Sequence, residues 1–132
     1  IRLKTIKGKI GYKITKLQII PNSPGDTGNV EGLVKVFKVD QTGNIVANVD
    51  FTDSDLLACA FYKSATAADK TATTENIIFD NEKFNQDIFI YAVDQAGGSI
   101  PINYYMELET MDLSELETTM LTLKSLRTLT SR

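Results

Sequence analysis

The sequence predicts a mainly β single domain: an antiparallel β-sandwich or jelly-roll-like arrangement of about seven or eight strands, closed by one C-terminal α-helix. Three observations carry this expectation. Ile102, Tyr104, Met106 and Leu108 alternate with Asn103, Tyr105, Glu107 and Glu109, the period of a half-buried strand. Residues 88–93 are apolar at every position and mostly β-branched or aromatic. From Leu113 onward the period lengthens, and Leu113, Leu116, Met120 and Leu123 fall on one helical stripe. A length of 132 residues suits one domain, and 42% hydrophobic with 23% charged residues is the balance of a chain that folds around a core.

Taken in order, residues 1–20 form a basic N-terminal strand or arm. Lys7, Lys9 and Lys13 share one parity and Ile6, Gly8, Ile10, Tyr12 and Ile14 the other, until Leu17 and Ile19 take over the apolar set. That parity change near Thr15-Lys16 predicts a bulge or a switch between sheets. Pro21 to Asn29 is a turn-forming surface loop. Val30 to Val39 reads as a strand buried on most of both sides, and Ile45 to Phe51 as a shorter strand paired with it as a hairpin across Asp40–Asn44. The stretch from Ser54 suits a capped helix or a strand, with strand character favoured over Leu57 to Tyr62, and Ser64 to Thr74 reads as an exposed loop. Asn76–Phe79 is a further strand, and Ile88 to Val93 is expected to be central and covered on both faces. Asp94–Ser99 then supplies a hairpin turn into Ile102–Thr110. The helix is expected from about Ser114 to about Leu126, with Ser114 and Glu117, or Asp112 and Glu115, as a capping box. Leu121, Leu126 and Leu129 lie off its main stripe, which suggests a second contact surface.

Composition excludes much chemistry. Histidine is absent and Cys59 is the only cysteine, so Ser-His-Asp and Cys-His catalysis, histidine-bound zinc, CxxC redox chemistry and internal disulfides are ruled out. No apolar run has the length of a membrane-spanning helix, and Ile1-Arg2-Leu3-Lys4 is not the start of a secretory signal. A chain beginning at Ile1 implies upstream processing or a sequence recorded without its true start. Asp50, Asp53 and Asp55 suggest calcium ligands but lack the glycine and distal glutamate of an EF-hand loop, so turn solvation and helix capping explain them better. Glu107 and Glu109 share one strand face and suit paired-carboxylate chemistry only inside a deep pocket; an exposed or interface-facing pair is the simpler reading. Gly97-Gly98 reads as a turn and Cys59 as a small buried hydrophobe. No catalytic residue, cofactor or metal ligand is assigned, and the chain reads as non-enzymatic.

Charge is polarised along the chain. Residues 1–20 carry six cations and no acid, whereas the whole protein carries −3. A basic arm on an acidic body favours contact with an acidic surface. With no arginine or aromatic cluster among the lysines, direct nucleic-acid contact is disfavoured.

The segments Asp80-Asn81-Glu82-Lys83-Phe84-Asn85-Gln86-Asp87-Ile88, Asn103-Tyr104-Tyr105-Met106-Glu107-Leu108-Glu109 and Thr122-Leu123-Lys124-Ser125-Leu126-Arg127 occur in order, preceded by Leu17-Gln18-Ile19-Ile20-Pro21. As a series they resemble small virion-associated proteins of marine tailed phages, especially cyanophages; Ile90–Val93 is less polar than that group's strand end. The resemblance implies a virion structural protein made in the bacterial host cytoplasm. A head decoration or cement protein, bound to the major capsid protein on the outer lattice, is the leading expectation. The alternatives are a tail or head-tail connector component, or a carbohydrate-binding sandwich with Tyr62, Tyr91, Tyr104 and Tyr105 as stacking platforms. Self-association as a dimer or trimer is expected. Its candidate interface residues are Arg2, Lys4, Lys7 and Lys9 of an arm whose first residues can fray, and Leu121, Leu126 and Leu129 of the helix.

Overall fold

The computed structural model describes residues 1–4, 6, 8–22, 30–43, 48–64, 73–79, 82–95 and 100–130, with side chains as far as 124 in the last stretch. Two antiparallel sheets and one C-terminal helix make up the fold, as expected of a β-sandwich closed by a helix. The smaller sheet pairs β1 (Ile10–Pro21) with β6 (Ile102–Asp112). The larger has the order β4-β3-β2-β5, built from β2 (Val30–Phe37), β3 (Leu56–Ser64), β4 (Thr73–Ile78) and β5 (Phe89–Asp94). Helix α1 spans Glu115–Thr130. Six strands occur among the described residues, fewer than the expected seven or eight.

Ile14, Leu17 and Ile19 from β1 meet Val30, Val34 and Val36 from β2 and Ala58, Ala60 and Tyr62 from β3 in the core, with Phe84 and Ile88 completing it. The parity change in β1 is a bulge: register shifts between Ile14, opposite Leu108, and Lys16, opposite Glu107. The skipped Thr15 donates its hydroxyl to the Glu107 carbonyl at 3.2 Å. The bulge lets one strand keep Ile14 and Leu17 on the same buried face despite their odd spacing.

Three expected pairings differ. Residues 48–51 are not a strand, because β3 and β5 occupy both edges of β2 and leave no ladder there; residues 45–47 lie outside the described residues. Asp50 and Asp53 instead accept the backbone N–H groups of Thr52 and Asp55, both at 2.9 Å, and hold tight turns. The run Ile88 to Val93 is not central: β5 is a half-buried edge strand that, among the described residues, pairs only with β2. Its apolar residues are used on both faces all the same, since Ile90 packs toward the core while Tyr91 meets Phe37 edge-to-face at 5.9 Å on the other side. Finally, β5 and β6 belong to different sheets, so the connection expected to form a hairpin carries the chain across the sandwich. Of that connection, residues 96–99 lie outside the described residues, as do most of the expected loops at 23–29 and 65–72.

The N-terminal segment is docked rather than frayed. Ile1 exchanges backbone hydrogen bonds with Ile88 at 2.7 and 3.1 Å, Leu3 N–H donates to Asp87 at 2.9 Å, and the Leu3 side chain packs on the core. Tyr12 and Phe84 exchange backbone hydrogen bonds at 2.8 and 2.9 Å and stack their rings, fixing segment 82–88 beside β1. Deleting residues 1–9 would therefore remove structure along with charge.

Candidate interaction surface

Helix α1 begins where its sequence signals place it. The Ser114 hydroxyl accepts the Glu117 backbone N–H at 3.2 Å as the N-cap, and Glu115 and Glu117 put negative charge at the positive end of the helix dipole. Leu113, buried just before the helix, seats against Gly11, where a Cβ would lie 2.7 Å from its Cδ2. That close approach anchors the end of β6 and aims α1 across the segment 82–88.

The helix faces are the reverse of those expected. Among the described side chains, the residues turned toward the body are Thr118, Leu121 and Thr122, with Glu117 at the edge, whereas Leu116, Met120 and Leu123 are 71%, 52% and 58% exposed. The cause is the polarity of the surface underneath. Asn85, 1% exposed, donates its amide to the Gly8 carbonyl at 3.1 Å and to the Thr122 hydroxyl at 3.4 Å. Gly8 has φ +77°, a left-handed conformation that L side chains adopt at a cost, and its missing Cβ leaves room for the Asn85 amide. Lys83 reaches Glu117 at 3.6 Å. A buried amide and a lysine select threonines and a glutamate from the helix, and the leucine-methionine stripe is left in solvent.

This placement corrects the candidate interface. Leu121 lies in a cleft with Lys38, Phe84 and Lys124, turned toward the body. The side chains of Leu126 and Leu129, and all of Lys7, lie outside the described residues. Arg2, Lys4 and Lys9 are exposed as expected. The remaining arm charges are largely answered within the sheet: Lys13 pairs with Glu109 at 3.6 Å, and Lys16 stands opposite Glu107 in register and 5.7 Å from the centre of the Tyr105 ring. Local charge in the sequence therefore overstates the field the folded arm presents.

The other candidates are dispersed. Glu107 accepts the Tyr105 hydroxyl at 2.9 Å, which raises the Tyr105 pKa, and both Glu107 and Glu109 are exposed. The four tyrosines do not form one platform. Tyr62 is buried in the core, the Tyr91 hydroxyl donates to Asp40 and accepts Gln41 N–H, and only Tyr104 and Tyr105 are exposed among them.

On the outer face of the larger sheet, Leu33, Phe51, Cys59, Phe61 and Ile77 line an apolar groove. Beside Cys59 in register is Lys35, buried with its ammonium donating to the Asn48 carbonyl at 3.1 Å. Burial lowers the Lys35 pKa, with Asp53 and Cys59 opposing, and burial raises that of Cys59, with Lys35 opposing. The two act oppositely on stability. The folded thiol keeps its proton to higher pH than the unfolded one, so its contribution is lost as pH rises above about 9; the unfolded Lys35 holds its proton longer, so its contribution grows with pH. Cys59→Ala should make the change in unfolding free energy between pH 8 and 10 more positive, measured by urea titrations at each pH. An unaltered slope would show that the thiol is not held protonated.

No family model, no curated protein and no solved structure matches this chain. The exposed stripe was visible in the sequence as a helical period, but nothing local marked it as outward, because the polar seat formed by Gly8, Lys83 and Asn85 is distant along the chain.

Proposed function

We propose that this chain is a non-enzymatic structural protein of a tailed-phage particle, a head decoration protein that binds the outer capsid surface through the major capsid protein. The observation that carries this reading is the solvent-facing stripe Leu116, Met120 and Leu123 on a helix whose opposite face is already docked. A contiguous apolar strip of this kind is a contact surface. The apolar groove on the outer sheet face offers a second contact, and the resemblance of the segment series to small virion proteins supports the particle. Many copies on a repeating shell reinforce one another, so each needs to bury only modest area.

Quantitative mass spectrometry of purified particles tests this directly. The expected result is a copy number in fixed proportion to the major capsid protein, and lattice-wide density on the outer head. A ring-sized copy number at the neck or tail would support the connector alternative instead. Absence from particles, together with binding on a glycan array, would overturn the proposal in favour of a carbohydrate-binding module using Tyr104 and Tyr105. Serine at Leu116, Met120 and Leu123 together should abolish retention on particles while leaving the thermal transition in place, since exposed positions carry little of the stability.

A further inference from the structure

We infer that α1 pairs antiparallel with α1 of a second copy of this chain, about a two-fold axis near Met120. The inference rests on the reading of α1 as a contact surface of a particle protein and assigns the stripe to contact between neighbouring copies, leaving the groove on the outer sheet face to meet the major capsid protein. Leu116, Met120 and Leu123 are spaced by four and three residues, the repeat of a helix-pairing seam, and all three are more than half exposed. The strip is self-complementary under a two-fold. Leu116, four residues before Met120, and Leu123, three residues after it, come opposite each other to within about one residue's rise of 1.5 Å, and Met120 meets Met120 of the second copy.

Charge decides the direction. Glu117 and Lys124 lie seven residues apart, two helical turns, and flank the same side of the stripe. An antiparallel pair brings Glu117 of each copy beside Lys124 of the other, twice by symmetry. A parallel pair brings Thr119 beside Lys124 instead, so that no opposite charges meet across the seam. Lys83, 3.6 Å from Glu117, steadies that carboxylate at the edge of the stripe without burying it. Three apolar side chains per copy fall short of the roughly 1,200–2,000 Å² of a standard stable interface, so the pair is weak in dilute solution and strengthened where a lattice holds copies close.

Sedimentation velocity on the full chain across a concentration series tests the pairing without any particle. The wild type should show reversible dimerisation. Glu117→Lys alone and Lys124→Glu alone should each weaken it by about tenfold, because each places like charges together twice. The double reversal should restore it, and an equimolar mixture of the two single variants should form a mixed pair. Met120→Cys should cross-link to itself under mild oxidation whereas Leu116→Cys should not, the buried Cys59 staying inert in both. Circular dichroism confirms that each variant is folded. A wild type that stays monomeric at every concentration while decorating particles overturns the pairing and leaves the particle reading standing. Single reversals that associate like the wild type, or Leu116→Cys that cross-links as readily as Met120→Cys, overturn the antiparallel register. A chain that pairs as described but is absent from particles overturns the particle reading alone.

Discussion

Leu17→Ala is expected to lower the unfolding free energy by about 3 kcal/mol or more, enough to threaten folding in a domain of ordinary stability. Leu17 is fully buried between the sheets, immediately after the bulge in β1. Its backbone carbonyl accepts the Asn76 side-chain amide at 2.8 Å, tying β1 to the edge strand β4, while β6 holds β1 from the other side at Met106. With the backbone fixed on both sides, little can move in to fill the space of a lost isobutyl group, so a cavity term adds to the lost transfer energy. Urea denaturation followed by circular dichroism measures the effect. A loss under about 1 kcal/mol would show that the two sheets close over the gap and that the sandwich is loosely clamped.

Asn85→Ala is expected to cost about 2 kcal/mol, and to spend that loss unevenly. The Asn85 amide bonds the Gly8 carbonyl and the Thr122 hydroxyl, joining the N-terminal segment, segment 82–88 and α1 at one buried point. Alanine leaves the Gly8 carbonyl without that donor under the helix, beside a Thr118 hydroxyl that already has no hydrogen-bond partner among the described residues. Among the described side chains of α1, those turned toward the body are Thr118, Leu121 and Thr122, only one of them apolar. Hydrogen exchange should therefore accelerate in α1 and leave the β2–β3 ladder protected. Uniform acceleration across both sheets would mean that α1 is integral to the cooperative unit and not a docked appendage.

Periodicity alone reveals much of the sandwich. Alternation in Ile102–Thr110 marks β6, the parity change near Thr15 marks the β1 bulge, and Ser114 with Glu117 marks the start of α1. Each signal is local: a strand or helix face must match its own repeat, and a cap must bond its own first turn. Partner choice was not local. The apolar run ending at Val93 reads the same in a central strand and in a half-buried edge strand, and β5 proved to be the second. The expected hairpin strand is absent over residues 48–51 because β2 had two other neighbours from farther along the chain.

The same division holds for the candidate surface. The sequence by itself determined that α1 carries an apolar stripe, that residues 1–20 are basic, and that histidine-based and paired-cysteine chemistry are excluded. Only the tertiary structure decided which way the stripe points and how much of the basic charge stays free. The sign of a helix face depends on the surface it lands on, and here that surface is a buried Asn85 amide, a left-handed Gly8 and Lys83. The free charge of the arm depends on which strand lies beside it, and β6 places Glu109 and Glu107 opposite Lys13 and Lys16. Both outcomes turn on residues roughly 30 to 110 positions apart in sequence, beyond the reach of any local pattern.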